Sequence, residues 1–436
     1  MSPPSVSRRA ALVGAGGVFA GFGASTAKLG PDSIANPADG ADWPLVHRDA
    51  RNAGFNPGAS GPASDPRTRW TLDAYEPGDR FRGYLNAPAP VVVGDRVYVG
   101  GPDLSAHRVG DGRAVWSVGG EREETFHGAA YAGGRLFVST RRGTSSTPGV
   151  TSFDAAPDAE ARSRRRWRTR LDHRGVQAPL VAGDAVYVPT LDYLFALDRD
   201  SGRRRWRLEV SHPRARPAVT DGALYVPRGW KGLFACDRRR DMFTAMVGDP
   251  PRTRWRFRHQ EDVAPAPAVG GGLVFVPETE EWYPGGDDDT GKLAAVGTDG
   301  AVRWREPVGS FGTTPVVAGD AVFYKAGANV EKIDHGDWVE PRSDARVVAF
   351  DPADGTRRWT REFPDLGSWR IAPVSDGERL YVPLYDSQSG SELVALDAAT
   401  GETRWRLKLD APAYHLALAG EMLYVSTYDG TLLALS

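Results

Sequence analysis

Apolar residues come in short bursts along this chain, and the bursts alternate with glycine- or aspartate-rich turns. The unit around Trp206 is complete. Gln177–Val181 is a short, largely apolar run, and Gly183-Asp184 is a tight-turn dipeptide. Ala185–Val188 is rich in β-forming residues, Leu194–Asp198 is a third apolar run, and Asp200-Ser201-Gly202 turns the chain again. Arg204–Leu208 then sets Trp206 among charged neighbours, the pattern of a strand with one buried face. These four runs predict one antiparallel four-stranded sheet.

The unit repeats along the chain. Trp70, Trp116, Trp167, Trp206, Trp255, Trp304, Trp359 and Trp405 return roughly 40–55 residues apart, a period that with strand patterning signals a β-propeller. The first turn recurs as Gly94-Asp95, Gly133-Gly134, Gly183-Asp184, Asp221-Gly222, Gly271-Gly272, Gly319-Asp320, Asp376-Gly377 and Gly420-Glu421. The prediction is an all-β fold, an eight-bladed β-propeller of four-stranded antiparallel blades over residues 67–436. The last repeat ends at Ser436 after its third strand, and Arg67–Leu72 offers the missing fourth. The ring is therefore expected to close by pairing of the N-terminal strand with the C-terminal blade, which removes two open edges.

The third turn follows the spacing A-x-D-x-x-x-G-x-x-x-W. It is complete at Ala196, Asp198, Gly202, Trp206; at Ala349, Asp351, Gly355, Trp359; and at Ala395, Asp397, Gly401, Trp405. This resembles the tryptophan-docking motif of the pyrroloquinoline-quinone-like propeller family, and Trp43–Asp49 resembles that family's lead-in. The resemblance covers about residues 43 to 436 and implies that the eight tryptophans dock between blades. The family includes quinoprotein dehydrogenases and non-catalytic members such as the bacterial outer-membrane assembly propeller. It thus implies either a non-catalytic binding or scaffold module or, as the alternative, a pyrroloquinoline-quinone- and calcium-dependent dehydrogenase. The dehydrogenases usually carry an adjacent cysteine pair beside the cofactor, whereas this chain has one cysteine, Cys236, read as a buried structural thiol. No cofactor or metal ligand can be carried over, so neither a cofactor nor a metal is predicted.

Charge and targeting narrow the setting. Lys plus Arg is 54 and Asp plus Glu is 56, so the net charge gives no case for nucleic acid. The expected partner is a protein or an anionic surface, the latter because Arg162 and Arg164–Arg166, Arg203–Arg205, and Arg238–Arg240 fall in the third turns of three consecutive blades. In residues 1–30, Ser7-Arg8-Arg9 precedes an Ala/Gly-rich apolar stretch that resembles a twin-arginine export signal. The chain is expected to be exported to an extracellular, cell-surface or periplasmic location, as a monomer with no transmembrane anchor once mature. Residues 31–66 read as an irregular N-terminal segment running along the ring.

Strand order sorts the loops onto two faces. The first and third turns of each blade share one face, and the second connections share the other with the links between blades. The links hold Arg82, Asn86, His127, His173, Gln177, His212, Arg214, Arg216, His259, Glu261, Trp369, Arg370 and His415. Each link leads into an innermost strand, so these residues are candidates to ring the mouth of the central channel. There is no H-E-x-x-H, G-x-S-x-G or C-x-x-C motif, and no catalytic residue is assigned.

Overall fold

In each repeat, apolar residues alternate with polar ones on the outer strands and run unbroken on the inner ones, as stacked sheets with covered faces require. A computed structural model of the chain describes residues 40–74, 89–120, 124–142, 148–159, 164–173, 175–210, 216–229, 231–238, 250–258, 265–278, 291–334, 336, 339–364, 366–367, 371–386 and 390–436. It forms eight four-stranded antiparallel sheets, with no helix among the described residues. Blade 1 runs from the inner strand Val91–Val93 to the outer strand Ala114–Gly119, blade 2 from Glu124–Ala132 to Arg165–Arg170, and blade 3 from Leu180–Ala182 to Arg204–Glu209. Blade 4 runs from Ala218–Val219 to Thr253–Phe257, blade 5 from Ala268–Gly270 to Val302–Pro307, blade 6 from Val316–Ala318 to Arg357–Phe363, and blade 7 from Val374–Ser375 to Thr403–Leu409. Blade 8 joins Ala413–Ala419, Met422–Thr427 and Thr431–Leu435 to the N-terminal strand Thr68–Asp73. The ring closes as expected.

One triplet recurs in every blade and explains the alanine of the sequence motif. The tryptophan of the outer strand faces a small residue of the third strand, which faces an aromatic residue of the second. Trp359, Ala349 and Phe323 are in register in blade 6, and Trp405, Ala395 and Tyr381 in blade 7. The small middle residue lets the two rings meet over it, with centroids 5.7 Å apart in blade 6 and 5.9 Å in blade 7. Blade 2 has Ser152 in the middle position, between Trp167 and Phe137.

The same tryptophans reach the following blade. The indole N–H of Trp70, Trp167, Trp255, Trp304 and Trp359 donates to a main-chain carbonyl in the next blade's third turn, at Val109, Arg199, Thr298, Pro352 and Ala398, over 2.8–3.0 Å. Their rings lie against the turn glycine. A Cβ on Gly401, whose φ is +74°, would sit 2.7 Å from the Trp359 ring, so the motif needs glycine there on two counts. Trp405 faces blade 8, where the third turn is the gap between the chain ends, and donates to Pro62 instead. Trp116 faces blade 2, whose third turn is lengthened. Among the described residues its N–H finds no partner, and the Arg164 guanidinium covers the ring at 4.3 Å.

Residues 41–61 complete the interior of the ring. The inner strand of each blade presents an unpaired edge to the channel, and this segment follows those edges round the ring in blade order. Trp43 pairs with Val92 in both directions, and the carbonyls of Pro44, Ala50, Arg51, Ala53 and Gly54 accept from Tyr131, Val219, Val269, Val317 and Ser375 of blades 2, 4, 5, 6 and 7. Leu45 packs against blade 3, and in blade 8 Gly420 donates to Ala41 and accepts from Ser60. Two asparagines rivet the strap. Asn52 Nδ2 donates to Pro217 and Pro267 of blades 4 and 5, and Asn56 Nδ2 donates to Ala41, Asp42 and Leu418. These bonds lie near the first hairpin turns, so the strap closes the channel at the turn-side end.

Replacing Asn52 should therefore weaken the whole ring. Asn52 is fully buried with a φ of +57°, so Asn52→Ala removes two donors and leaves an alanine in a left-handed conformation. The expected loss is about 2–4 kcal/mol of unfolding free energy, measured by chemical denaturation.

Candidate functional site in the central channel

Inner-strand direction sets what lies above the strap. Each inner strand starts at the link-side face and ends at the first turn, so residues just before it stand on the link side of the strap. Arg216 lies two residues before the blade 4 inner strand, and His415 three residues before Leu418, where Asn56 holds blade 8. Blades 4 and 8 face each other across an eight-membered ring, so side chains from both can approach only near its axis. His47 joins them from the strap. The backbone reverses there, with φ of +58° at His47 and +70° at Arg48, and the His47 carbonyl accepts from Asp49 and Gly54.

The electrostatics place these three side chains in one environment. His47 is pushed down to about 3 by burial first, then by the Arg216 and His415 charges. Burial pushes His415 down to about 4. Burial pushes Arg216 down to about 9, against the pull of Asp49; a guanidinium at that value is still charged at neutral pH. Both imidazoles keep part of their surface accessible, whereas Arg216 is 6% exposed. Two partly exposed rings and one buried guanidinium, all on the link side of the strap, thus mark the floor of the central shaft.

Arg216 is the outlier. Its Nε, Nη1 and Nη2 are all buried with no hydrogen-bond partner among the described residues. The carboxylate it senses is committed elsewhere: Asp49 Oδ1 accepts from the main-chain N–H of Arg51 and Ala53, and Oδ2 accepts from Arg51 Nε and Nη2 at 3.0 and 2.8 Å.

Other sequence candidates lie elsewhere. His127 is held by Thr125 Oγ1 at 3.0 Å. His173 sits over the outer half of blade 3, its ring 4.2 Å from that of Tyr193 and its Nδ1 4.0 Å from Asp192. The Gln177 main chain ties blade 3 to blade 2, its carbonyl accepting from Ser139 Oγ at 2.5 Å. Arg82, Asn86, His212, Arg214, His259, Glu261, Trp369 and Arg370 lie outside the described residues. Sequence reasoning missed His47 and Asp49, which it read only as part of a family lead-in. A polar His-Arg-Asp run directly after the buried Trp43 and Leu45 was the available signal.

The arginine-rich turns are partly neutralised among the described residues. Arg164 is buried and donates to Asp154, Ala156 and Pro157 carbonyls. Arg166 pairs with Asp154, Arg205 with Asp184 and Asp198, and Arg238 with Asp221. Arg203 and Arg204 remain exposed. Cys236 is fully buried in blade 4, where desolvation pushes its thiol up; it is the inert structural thiol expected. No group of three or more His, Cys, Asp or Glu side chains converges at metal-ligand geometry among the described residues. The one cysteine of the chain cannot supply the adjacent pair that the quinoprotein dehydrogenases usually carry.

Fold and channel together define a class: a propeller of pyrroloquinoline-quinone-like repeats, closed at one end by its own N-terminal segment. The profile of the family described as outer membrane protein assembly factor BamB matches residues 103–240, 245–337 and 343–436, and the chain belongs to that family. Among solved structures, BamB from Moraxella catarrhalis is similar at 18% identity and a TM-score of 0.56, over 85% of this chain and 100% of that one. A quinohemoprotein alcohol dehydrogenase from Pseudomonas putida HK5 is similar at 13% identity and a TM-score of 0.59, over 91% of this chain and 80% of that one. These likenesses are of fold. Among curated proteins, the serine/threonine-protein kinase AfsK of Streptomyces griseus is 24% identical over 343 residues, 75% of this chain and 37% of the kinase. The chain thus spans little more than a third of that relative.

The two imidazoles give the site a pH signature. They are neutral in the folded ring, whereas in the unfolded chain they titrate near 6.5. Between about pH 6.5 and 4 the unfolded chain therefore binds more protons, and stability falls as pH drops through that window. Each histidine accounts for at most about 3 kcal/mol. Urea unfolding from pH 7 to 4.5 should show a steeper loss in the native chain than in a His47→Asn/His415→Gln double variant; equal slopes would place both rings in open solvent.

Proposed function

We propose that this chain is an exported, non-catalytic binding module: a propeller that displays a loop-rich face to a protein partner. The observation that carries the reading is how the two ends of the ring are used. The turn-side end is closed by residues 41–61, and Arg166, Arg205 and Arg238 of its third turns are ion-paired within the protein. The link side carries the long second connections and the polar links. Membership in a family described by an outer membrane assembly factor supports an extracytoplasmic scaffold, and Arg8-Arg9 with the Ala/Gly-rich stretch after it supports export by the twin-arginine route. No described helix is long and apolar enough to cross a membrane. The kinase relatives fit the same reading, since the repeats of this chain are propeller throughout and propellers recur as recognition parts of larger proteins.

Two exposed apolar side chains, one on each face, make a direct test. Leu191, 44% exposed, lies in the second connection of blade 3, and Val302, 48% exposed, follows the third turn of blade 5. A photo-crosslinking residue in place of Leu191 should give a discrete protein adduct in cells, and one in place of Val302 should not. Arg8→Lys/Arg9→Lys should hold the chain in the cytoplasm and remove the adduct. Adducts from neither position, or equally from both, would count against a link-side partner. Quinone- and calcium-dependent dehydrogenase activity of the purified chain would sink the non-catalytic reading.

A further inference from the structure

We infer that the shaft above the strap is a small-molecule anion site, in which Arg216 offers its guanidinium to a carboxylate or phosphate oxyanion flanked by His47 and His415. The inference does not depend on the chain having a protein partner.

The reasoning starts from an imbalance of charge. An ionised group taken out of water costs several kcal/mol unless it is paired, and a guanidinium cannot escape that cost by losing its proton at neutral pH. Native proteins accordingly give a buried arginine a carboxylate or a set of carbonyls. Arg164 of this chain shows the ordinary solution, with carbonyls of Asp154, Ala156 and Pro157 accepting its N–H groups. Arg216 has no such cradle: all three of its nitrogens are buried and unpartnered among the described residues. The carboxylate that could balance it, Asp49, is already bidentate to Arg51, with both oxygens used. Among the described residues, one full positive charge is left over at the channel floor.

The surroundings fit an anion in both shape and charge. The donor fork of arginine matches a planar carboxylate or two phosphoryl oxygens. His47 of the strap senses the charges of both Arg216 and His415 of blade 8, and each imidazole has an N–H to add. The strap bars one end of the channel, so a ligand must enter from the link side. An anion seated at Arg216 also removes the repulsion that now disfavours protonated His47, so binding below neutral pH should take up a proton.

The test uses the full chain and two probes, inorganic phosphate and succinate, at constant ionic strength. The native protein should show saturable one-to-one binding by calorimetry and a midpoint of thermal unfolding that rises by several degrees. A response to phosphate alone or to succinate alone identifies which oxyanion the shaft takes. Arg216→Met should raise the midpoint of the ligand-free protein, because it removes a buried unpaired charge, and should abolish the response to both probes. Arg216→Lys keeps the charge but loses the fork, and should weaken binding at least about tenfold. General salt stabilisation would act equally on all variants. At pH 6, binding heats in two buffers of different ionisation enthalpy should show proton uptake in the native chain and less of it in His47→Asn. The proposal is overturned if the native chain responds to neither probe. It is also overturned if either Arg216 variant responds as strongly as the native chain.

Discussion

The ring depends on how the inner edges of its blades are satisfied. A propeller hides most strand edges by pairing them within blades, but the innermost strand of each blade still turns a row of main-chain donors and acceptors to the channel. Here one segment of the same chain meets that demand. Residues 41–61 carry no strand of their own, yet their carbonyls accept from the equivalent position of one blade after another. The left-handed backbone at His47, Arg48 and Asn52 is what bends an extended peptide into so tight an arc. The same bends carry His47 towards the axis, so the closure of the channel and the chemistry of its floor have one cause.

The fold was almost entirely legible in the sequence because its determinants are local and repeated. A turn glycine, a small residue opposite a tryptophan and a facing aromatic each leave a mark at fixed spacing, and eight copies average out departures such as Ser152. The departures themselves have physical explanations. In blade 2, whose third turn is lengthened, the Arg164 guanidinium lies over the Trp116 ring, and the indole N–H has no partner among the described residues. That arginine had counted towards a basic patch. A run of charged residues in sequence carries no information about which member turns inward, so the paired Arg166, Arg205 and Arg238 could not be told from the free Arg203 and Arg204 before the fold was seen.

The site was legible in part, for the same reason in reverse. Strand order alone points to the link residues as candidates for the channel mouth, and Arg216 and His415 are among them. It cannot say that blades 4 and 8 approach across the axis, nor that His173 turns outward onto Tyr193. His47 was out of reach, because its role comes from a non-repeating segment whose path is set by long-range hydrogen bonds. Its neighbours Trp43 and Leu45 are 1% and 2% exposed, a burial that the composition of residues 31–66 conceals.

Pairing of Thr68–Asp73 with Thr431–Leu435 has a consequence for the order of events during synthesis. The first strand of the propeller to be translated has no sheet to join until Thr431–Leu435 has been made. The strap before it likewise needs inner strands from every part of the chain. Both must wait, while seven blades assemble behind them from contacts close in sequence, and the molecule is completed by its beginning. Closure thus rests on the contacts of longest sequence separation in the fold, and loss of Thr431–Leu435 would leave Thr68–Asp73 without the strand it pairs with.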